Sequence, residues 1–141
     1  MEKKDPTKLY REWEKLGENS LGLFFRAKEL EGEEELSLRL TPWKRWDEDK
    51  TRERIEREVE VIRTVSHDTL LEFRDFFCSD EGVYLVVKSW RGSSIGSLAA
   101  KKRLGPVNAS KIIARLADGL EKLHSKGWLH RYITPWTVFL K

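Results

Sequence analysis

The side chains best able to hold a metal or attack a substrate are few here, and they are scattered. The chain has three histidines, His67, His124 and His130, and one cysteine, Cys78. A zinc site needs three or four such ligands brought close together, and a disulfide framework needs cysteines in pairs. No metal is therefore expected. Each histidine, His130 included, reads as a packing residue, and Cys78 reads as a small hydrophobe. The cations offer a second kind of chemistry, binding to phosphate. They cluster at Arg52/Arg54/Arg57, spaced by glutamates, and at Lys101-Lys102-Arg103. A nucleic-acid binder would present one coherent basic face. With both signs interspersed and a formal net charge of +3, these clusters read as solvated helix surface, and nucleic acid is an unlikely partner.

The elements that would position any site follow from hydrophobic spacing. Residues 9–17 begin polar and amphipathic and reach Leu16-Gly17, and Leu21–Phe25 is an apolar run after a glycine. Glu31-Gly32 makes a turn, and Leu36–Leu40 alternates as a strand does, closed by Thr41-Pro42. These three segments predict an antiparallel meander. Residues 47–65 read as a helix, with Asp47 and Asp49 suited to its positive end and Ile55, Val59 and Ile62 on one face. Strands follow at Leu70–Phe77 and Val83–Lys88, joined by the turn Ser79–Gly82. Ser93–Lys102 predicts a short helix, Gly105-Pro106 a break, and Ser110–His124 a long helix with the stripe Ile113, Leu116, Leu120 and Leu123. Trp128–His130 and Thr137–Leu140 read as short strands of a small hairpin around Pro135. The order is that of an α+β protein.

A chain of 141 residues with six tryptophans can bury a real core without metals or disulfides. No run approaches the roughly 18 apolar residues of a membrane span. The amino-terminal residues lead into no apolar signal segment, so no membrane partner and a cytoplasmic location are expected.

Several segments together resemble one family, the eukaryotic-type Ser/Thr protein kinases. Leu16–Phe24 resembles the glycine-rich loop G-x-G-x-x-G-x-V, and Leu36-Ser37-Leu38-Arg39 the V-A-I-K strand. Arg57-Glu58-Val59 is similar to the glutamate region of helix αC, and Ser66–Leu70 to the histidine-containing turn before the fourth strand. Leu123–Tyr132 resembles the end of helix αE and the H-R-D catalytic loop, and Ile133–Leu140 its continuation L-K-P-x-N-V-L-L. The order and separations are family-like over nearly the whole chain. The resemblance implies a five-stranded antiparallel amino-terminal lobe with helix αC over residues 1–88. It implies a hinge near Lys88-Ser89-Trp90, then αD, αE and a catalytic loop over residues 89–141. The D-F-G segment and all later helices would lie beyond Lys141, so the resemblance implies a truncated domain.

Phosphoryl transfer depends on positioning and charge neutralisation, and the positions that would supply these are altered. Gly17 and Gly22 keep two of the three loop glycines, but Asn19 adds a side chain at the middle one. Arg39 stands at the lysine position, where it keeps the charge and could pair with Glu58, but with a bulkier, planar head. Phe24 replaces the small residue above the adenine, Ser37 replaces the alanine, and Phe139 falls beneath the adenine. Two rings converging there would fill the slot. Tyr132 replaces the catalytic aspartate, and a phenol titrating near 10 cannot accept a substrate proton as a carboxylate does. Thr134 replaces the catalytic-loop lysine and Thr137 the metal-binding asparagine, which leaves Mg²⁺ without its ligands.

The expected function is that of a non-catalytic, truncated kinase-like module, a pseudokinase, with a vestigial nucleotide site and no cofactor beyond weak ATP binding. The alternative is an ATP-binding kinase fragment completed by another chain, which Tyr132 disfavours. A protein partner or a second copy is expected on the surface of the long helix and catalytic loop, through Ile113, Leu116, Leu120, Leu123, Trp128 and Trp136.

Overall fold

Leu36, Leu38 and Leu40 alternate with Ser37, Arg39 and Thr41, and this alternation organises the first half of the molecule. The computed structural model describes residues 2–44, 47–101 and 104–140. The chain divides into two compact units, Met1–Thr64 with Glu72–Ser89, and Val65–Leu71 with Trp90–Lys141.

In the first unit, β1 (Tyr10–Asn19), β2 (Gly22–Glu29) and β3 (Glu35–Pro42) form the expected meander. Helix α1 (Glu48–Thr64) crosses to β4 (Phe73–Cys78) and β5 (Gly82–Lys88). The sheet order is β1-β2-β3-β5-β4, with every neighbouring pair antiparallel. The fourth strand starts at Phe73 rather than Leu70, because Leu70 is taken into a turn by its amide bond to the His67 carbonyl at 3.0 Å.

The leucines of β3 face a core with Tyr10, Ala27, Phe77, Tyr84 and Val86. Tyr10 and Tyr84 both stack on Phe77, with centroids 5.9 and 5.0 Å away. Trp13 meets Tyr10, Phe25 and Tyr84 edge-on. Trp13 reaches this cluster through a bulge. Arg11 pairs with Lys28 and Glu14 with Arg26, so Glu12 and Trp13 together oppose Ala27, with Glu12 at φ +56°. An extra residue of this kind bends a strand and re-aims its side chains. Burial, aided by nearby carboxylates, pushes the Tyr10 and Tyr84 phenols up to about 12.

An element that periodicity did not reveal partly bridges the two sheet edges. Lys3 bridges to Cys78 on β4, and the Lys4 amide donates to the Cys78 carbonyl at 2.7 Å. Residues Pro6–Lys8 then make one 3-10 turn, capped by Asp5, before β1 begins at the opposite edge. Cys78 is buried, and that burial raises its thiol pKa.

Asp47 accepts from the Lys50 amide at 3.1 Å at the start of α1, as an N-terminal cap should. Ile55 and Val59 are buried, but Ile62 is only half-covered. Val61 is buried near the end of the helix instead, and the exposed Arg63 sets its guanidinium 4.9 Å from the ring centre of Phe73 and 5.6 Å from that of Phe76.

The second unit contains β6 (Ser93–Ser94), α2 (Ile95–Lys101), α3 (Pro106–Ser125) and β7 (Phe139–Leu140). Lys102 and Arg103 of the basic cluster lie outside the described residues. Gly105-Pro106 does not separate the helix from the chain before it but starts it. Proline at the first helical position has no amide to lose, and α3 gains a turn over the expected span. Gly119 lets the Val65–Leu71 segment dock on α3, since a Cβ there would lie 2.0 Å from Thr69 Oγ1.

The expected hairpin at the end of the chain does not form. Phe139–Leu140 pairs with Ser93–Ser94, and Trp128–His130 is irregular. Arg131 at φ +66° turns the backbone away from an extended path. His130 is also corrected: it is exposed, and its Nδ1 accepts from the Tyr132 amide at 3.2 Å. Its ring braces a turn and is not core. Among the described residues no helix is long and apolar enough to cross a membrane.

Gly22 sits at φ +143°, where a Cβ would lie 2.1 Å from the Leu40 carbonyl oxygen; Gly17, at φ +148°, would meet nothing within 4 Å. Both substitutions to alanine carry backbone strain, but only Gly22→Ala also forces β2 from β3. Urea denaturation should therefore give Gly22→Ala a cost at least about 1–3 kcal/mol above that of Gly17→Ala. Equal costs would contradict the close β2–β3 approach.

Candidate functional site

Antiparallel register places Phe24 opposite Arg39, on the face of the sheet away from the leucine core. Arg39 sits in the middle of β3, and only 12% of its side chain is exposed. A buried guanidinium requires a counter-charge. Glu58 of α1 supplies it, accepting from Arg39 Nη2 at Oε2 over 2.8 Å. The contact uses one edge of the fork. Arg39 Nε is buried and has no hydrogen-bond partner among the described residues.

Ser37, two residues earlier on the same face, is buried and donates to Ser89 Oγ at 3.3 Å. Phe24 is half-buried beside this row. The structure thus brings Phe24, Ser37, Arg39 and Glu58 together within the first unit.

The glycine loop is a tight hairpin turn. Asn19 and Gly22 are paired across a two-residue connection, Ser20-Leu21. Asn19 Oδ1 accepts from the Leu21 amide at 2.8 Å. The asparagine side chain is therefore engaged with the turn's own backbone, as Asx turns are. Thr41 Oγ1 donates to the Leu21 carbonyl at 3.3 Å and fastens the turn to β3.

Tyr132, Thr134 and Thr137 come together in the second unit. Thr137 Oγ1 donates to the Tyr132 carbonyl at 2.9 Å and accepts from the Thr134 amide at 2.9 Å. Thr134 Oγ1 accepts from the Trp136 amide at 3.2 Å. Both hydroxyls are thus committed to holding the loop, and the Thr134–Thr137 spacing is the sequence signal for such a turn. Phe139 packs on Trp90, with centroids 4.9 Å apart and planes tilted by 52°. Ser89 and Trp90, expected only as part of a hinge, are the partners of Ser37 and Phe139 that sequence reasoning did not foresee. Among the described residues no three His, Cys, Asp or Glu side chains gather as metal ligands.

The stripe on α3 is graded. Leu123 is buried in its own unit, Leu116 and Leu120 are half-buried, and Ile113 is 63% exposed. Trp128 is exposed, and so is Trp136, although one face of its ring lies against Gly96.

Comparison with known proteins gives a consistent result. The family profile described as "Protein kinase domain" matches residues 10–141. An "Aurora kinase" of Schizosaccharomyces pombe is 28% identical over 126 residues, covering 89% of this chain and 36% of that protein. A "Calcium-dependent protein kinase 4" of Plasmodium berghei is 24% identical over 127 residues, 89% of this chain and 24% of the relative. A "Serine/threonine-protein kinase STE20" of Candida glabrata is 25% identical over 136 residues, 96% of this chain and 14% of the relative. The chain spans about a third or less of the length of these relatives.

The Arg39–Glu58 contact should be measurable as a coupling. A double-mutant cycle of Arg39→Ala and Glu58→Ala, followed by thermal denaturation, should give an interaction of about 1–3 kcal/mol, as for a charged hydrogen bond. Additive single effects would mean that the pair contributes nothing to holding α1.

Proposed function

The chain belongs to the protein kinase family, and from that premise we propose that it is a non-catalytic member, a pseudokinase that acts by binding another protein. The observation that carries this reading is the loop Tyr132–Thr137. Where the family places a carboxylate base, a lysine and a metal-binding amide, this chain has a phenol and two hydroxyls that are bound to the loop's own backbone. A kinase lowers its barrier by positioning the substrate hydroxyl and neutralising phosphate charge. Neither threonine adds a charge, and Tyr132 puts a phenol where a carboxylate base would stand.

The nucleotide side of the proposal is weaker binding rather than a designed pocket. Phe24 takes up space on the Arg39 face, and Arg39 is engaged by Glu58. A second reading, a nucleotide-binding kinase fragment, is favoured by that same pair, because it keeps a cation and a glutamate at the expected distance. It is disfavoured by Tyr132. A cytoplasmic setting belongs to the proposal as well.

The binding surface in this reading is the outer side of α3 and the loop after it, through Ile113, Leu116, Leu120, Trp128 and Trp136. Leu123, covered within its own unit, supports the helix without meeting a partner. Contiguous exposed apolar surface of this kind marks interaction sites.

Radiolabelled ATP with generic protein substrates tests the proposal. The expected result is no transfer above a protein-free control, at any Mg²⁺ or Mn²⁺ concentration. Transfer that is abolished by Tyr132→Phe or by Arg39→Ala would overturn it.

A further inference from the structure

Cys78 ends β4, the strand at the edge of the sheet, yet only 2% of it is exposed. Alternation along β4 puts it on the side of Phe76, which lines a hollow with Val59 and Arg63 of α1. On the open edge Lys3 lies beside it, and the Lys4 amide donates to its carbonyl at 2.7 Å. Burial raises the Cys78 thiol pKa, and the cations of Arg52 and Lys3 are among the charges that offset this rise. The amino-terminal residues thus cover the end of an edge strand, where an open row of backbone groups would otherwise face water.

This cover is weakly held. Among the described residues the Lys4 amide makes the only backbone hydrogen bond from Glu2–Lys8 to β4. The Lys3 ammonium adds Glu48 at 3.7 Å, Asp80 at 3.9 Å and the Trp43 ring, 5.7 Å from its centre. All three charged groups are exposed, and such pairs hold little and weaken with salt. From Glu2 to Lys8 no side chain is buried and only Pro6 is half-buried, whereas Tyr10 is already in the core. A segment without buried apolar surface opens at far lower free energy than the sheet it lies on. Its seat and its pivot have bonds of their own. Trp43 Nε1 donates to the Ser79 carbonyl at 2.9 Å, and the Trp43 amide to the Glu81 carbonyl at 3.1 Å. Asp5 Oδ1 accepts from the Thr7 amide at 3.0 Å and the Thr7 hydroxyl at 2.7 Å, the Lys8 amide donates to the Asp5 carbonyl at 3.1 Å, and Pro6 stiffens the turn.

We propose that Glu2–Lys4 is a latch on the edge of β4, which swings about the preformed turn Asp5–Leu9 and opens while the sheet stays folded. Closed, it covers Cys78. Open, it uncovers the Cys78 end of β4 and, because Lys3 reaches both Glu48 and Asp80, also removes the charge that joins the start of α1 to the β4–β5 turn. The preformed pivot makes reclosing a small movement. The latch is independent of the protein-binding reading above.

Cys78 is the chain's one cysteine, so it reports the opening by itself. The 141-residue chain is labelled with iodoacetamide, an uncharged reagent, and the rate is read by mass spectrometry against the same chain unfolded in urea. Below the unfolding transition the rate should be nearly independent of urea, as for a local opening that exposes little surface. Lys4→Pro removes the amide donor from an exposed position, and Lys3→Ala removes the charge. Each should speed labelling at least about five-fold while leaving the urea midpoint of the whole fold almost unchanged. Raising salt from about 50 mM to about 500 mM should speed labelling in the original chain and not in Lys3→Ala. Lys15→Ala, away from the latch, should leave the rate as it is. Labelling that depends on urea as steeply as global unfolding does would overturn the proposal. So would rates that neither variant changes, or a Lys4→Pro variant whose urea midpoint falls in proportion to its faster labelling, since the segment would then open only with the sheet.

Discussion

The contact between Arg39 Nη2 and Glu58 Oε2 is the constraint around which the first unit is arranged. Alternation along β3 turns three leucines to one side, and so it must turn Arg39 to the other, where the chain has little water to offer it. A guanidinium so placed needs an anion, and α1 carries one three turns into its length. The pair therefore ties the position of a helix to the register of a strand. Being mostly buried, it adds specificity more surely than net stability, since desolvation offsets much of the attraction. Arg39 Nε, buried without a hydrogen-bond partner among the described residues, marks the remaining cost. Beside this pair lies the half-buried Phe24, opposite Arg39 on the neighbouring strand.

Much of this arrangement is legible in the sequence because it rests on short-range periodicity. The alternation of Leu36–Leu40, the helical spacing of Ile55 and Val59, and the turn residues Ser79–Gly82 each define an element before any packing is known. The Arg39–Glu58 pair was legible for a different reason: the resemblance put a cation and a glutamate at positions that meet in the fold. What stayed hidden depends on contacts distant in sequence or on single residues acting through the backbone. Trp13 reaches the aromatic cluster only because Glu12 takes φ +56°, and nothing in the alternation of β1 signals a bulge there. The Lys3–Cys78 bridge joins residues with no pattern between them. His130, read as packing, braces a turn through its ring nitrogen, a role that hydrophobicity does not encode. The carboxy-terminal hairpin failed because two threonine hydroxyls and Arg131 hold the backbone out of an extended path, and β7 found Ser93–Ser94 instead.

The two units differ in how they satisfy their charges and apolar groups. The first pairs many of its cations and closes its aromatic core with its own strands. The second leaves cations and large apolar side chains exposed on one helix and the loop after it. In the loop Tyr132–Thr137 of the second unit, both threonine hydroxyls are bonded to the loop's own backbone.

The central claim is that the Arg39 face is occupied by the protein's own groups and is not kept for nucleotide. Thermal denaturation with millimolar ATP, with and without Mg²⁺, tests it most directly. A ligand bound to the native state at one hundred times its dissociation constant adds about 2.7 kcal/mol, a shift of several degrees for a chain of this size. The account predicts no Mg²⁺-dependent change in melting temperature. A rise of several degrees that needs Mg²⁺ and disappears in Arg39→Ala would contradict it.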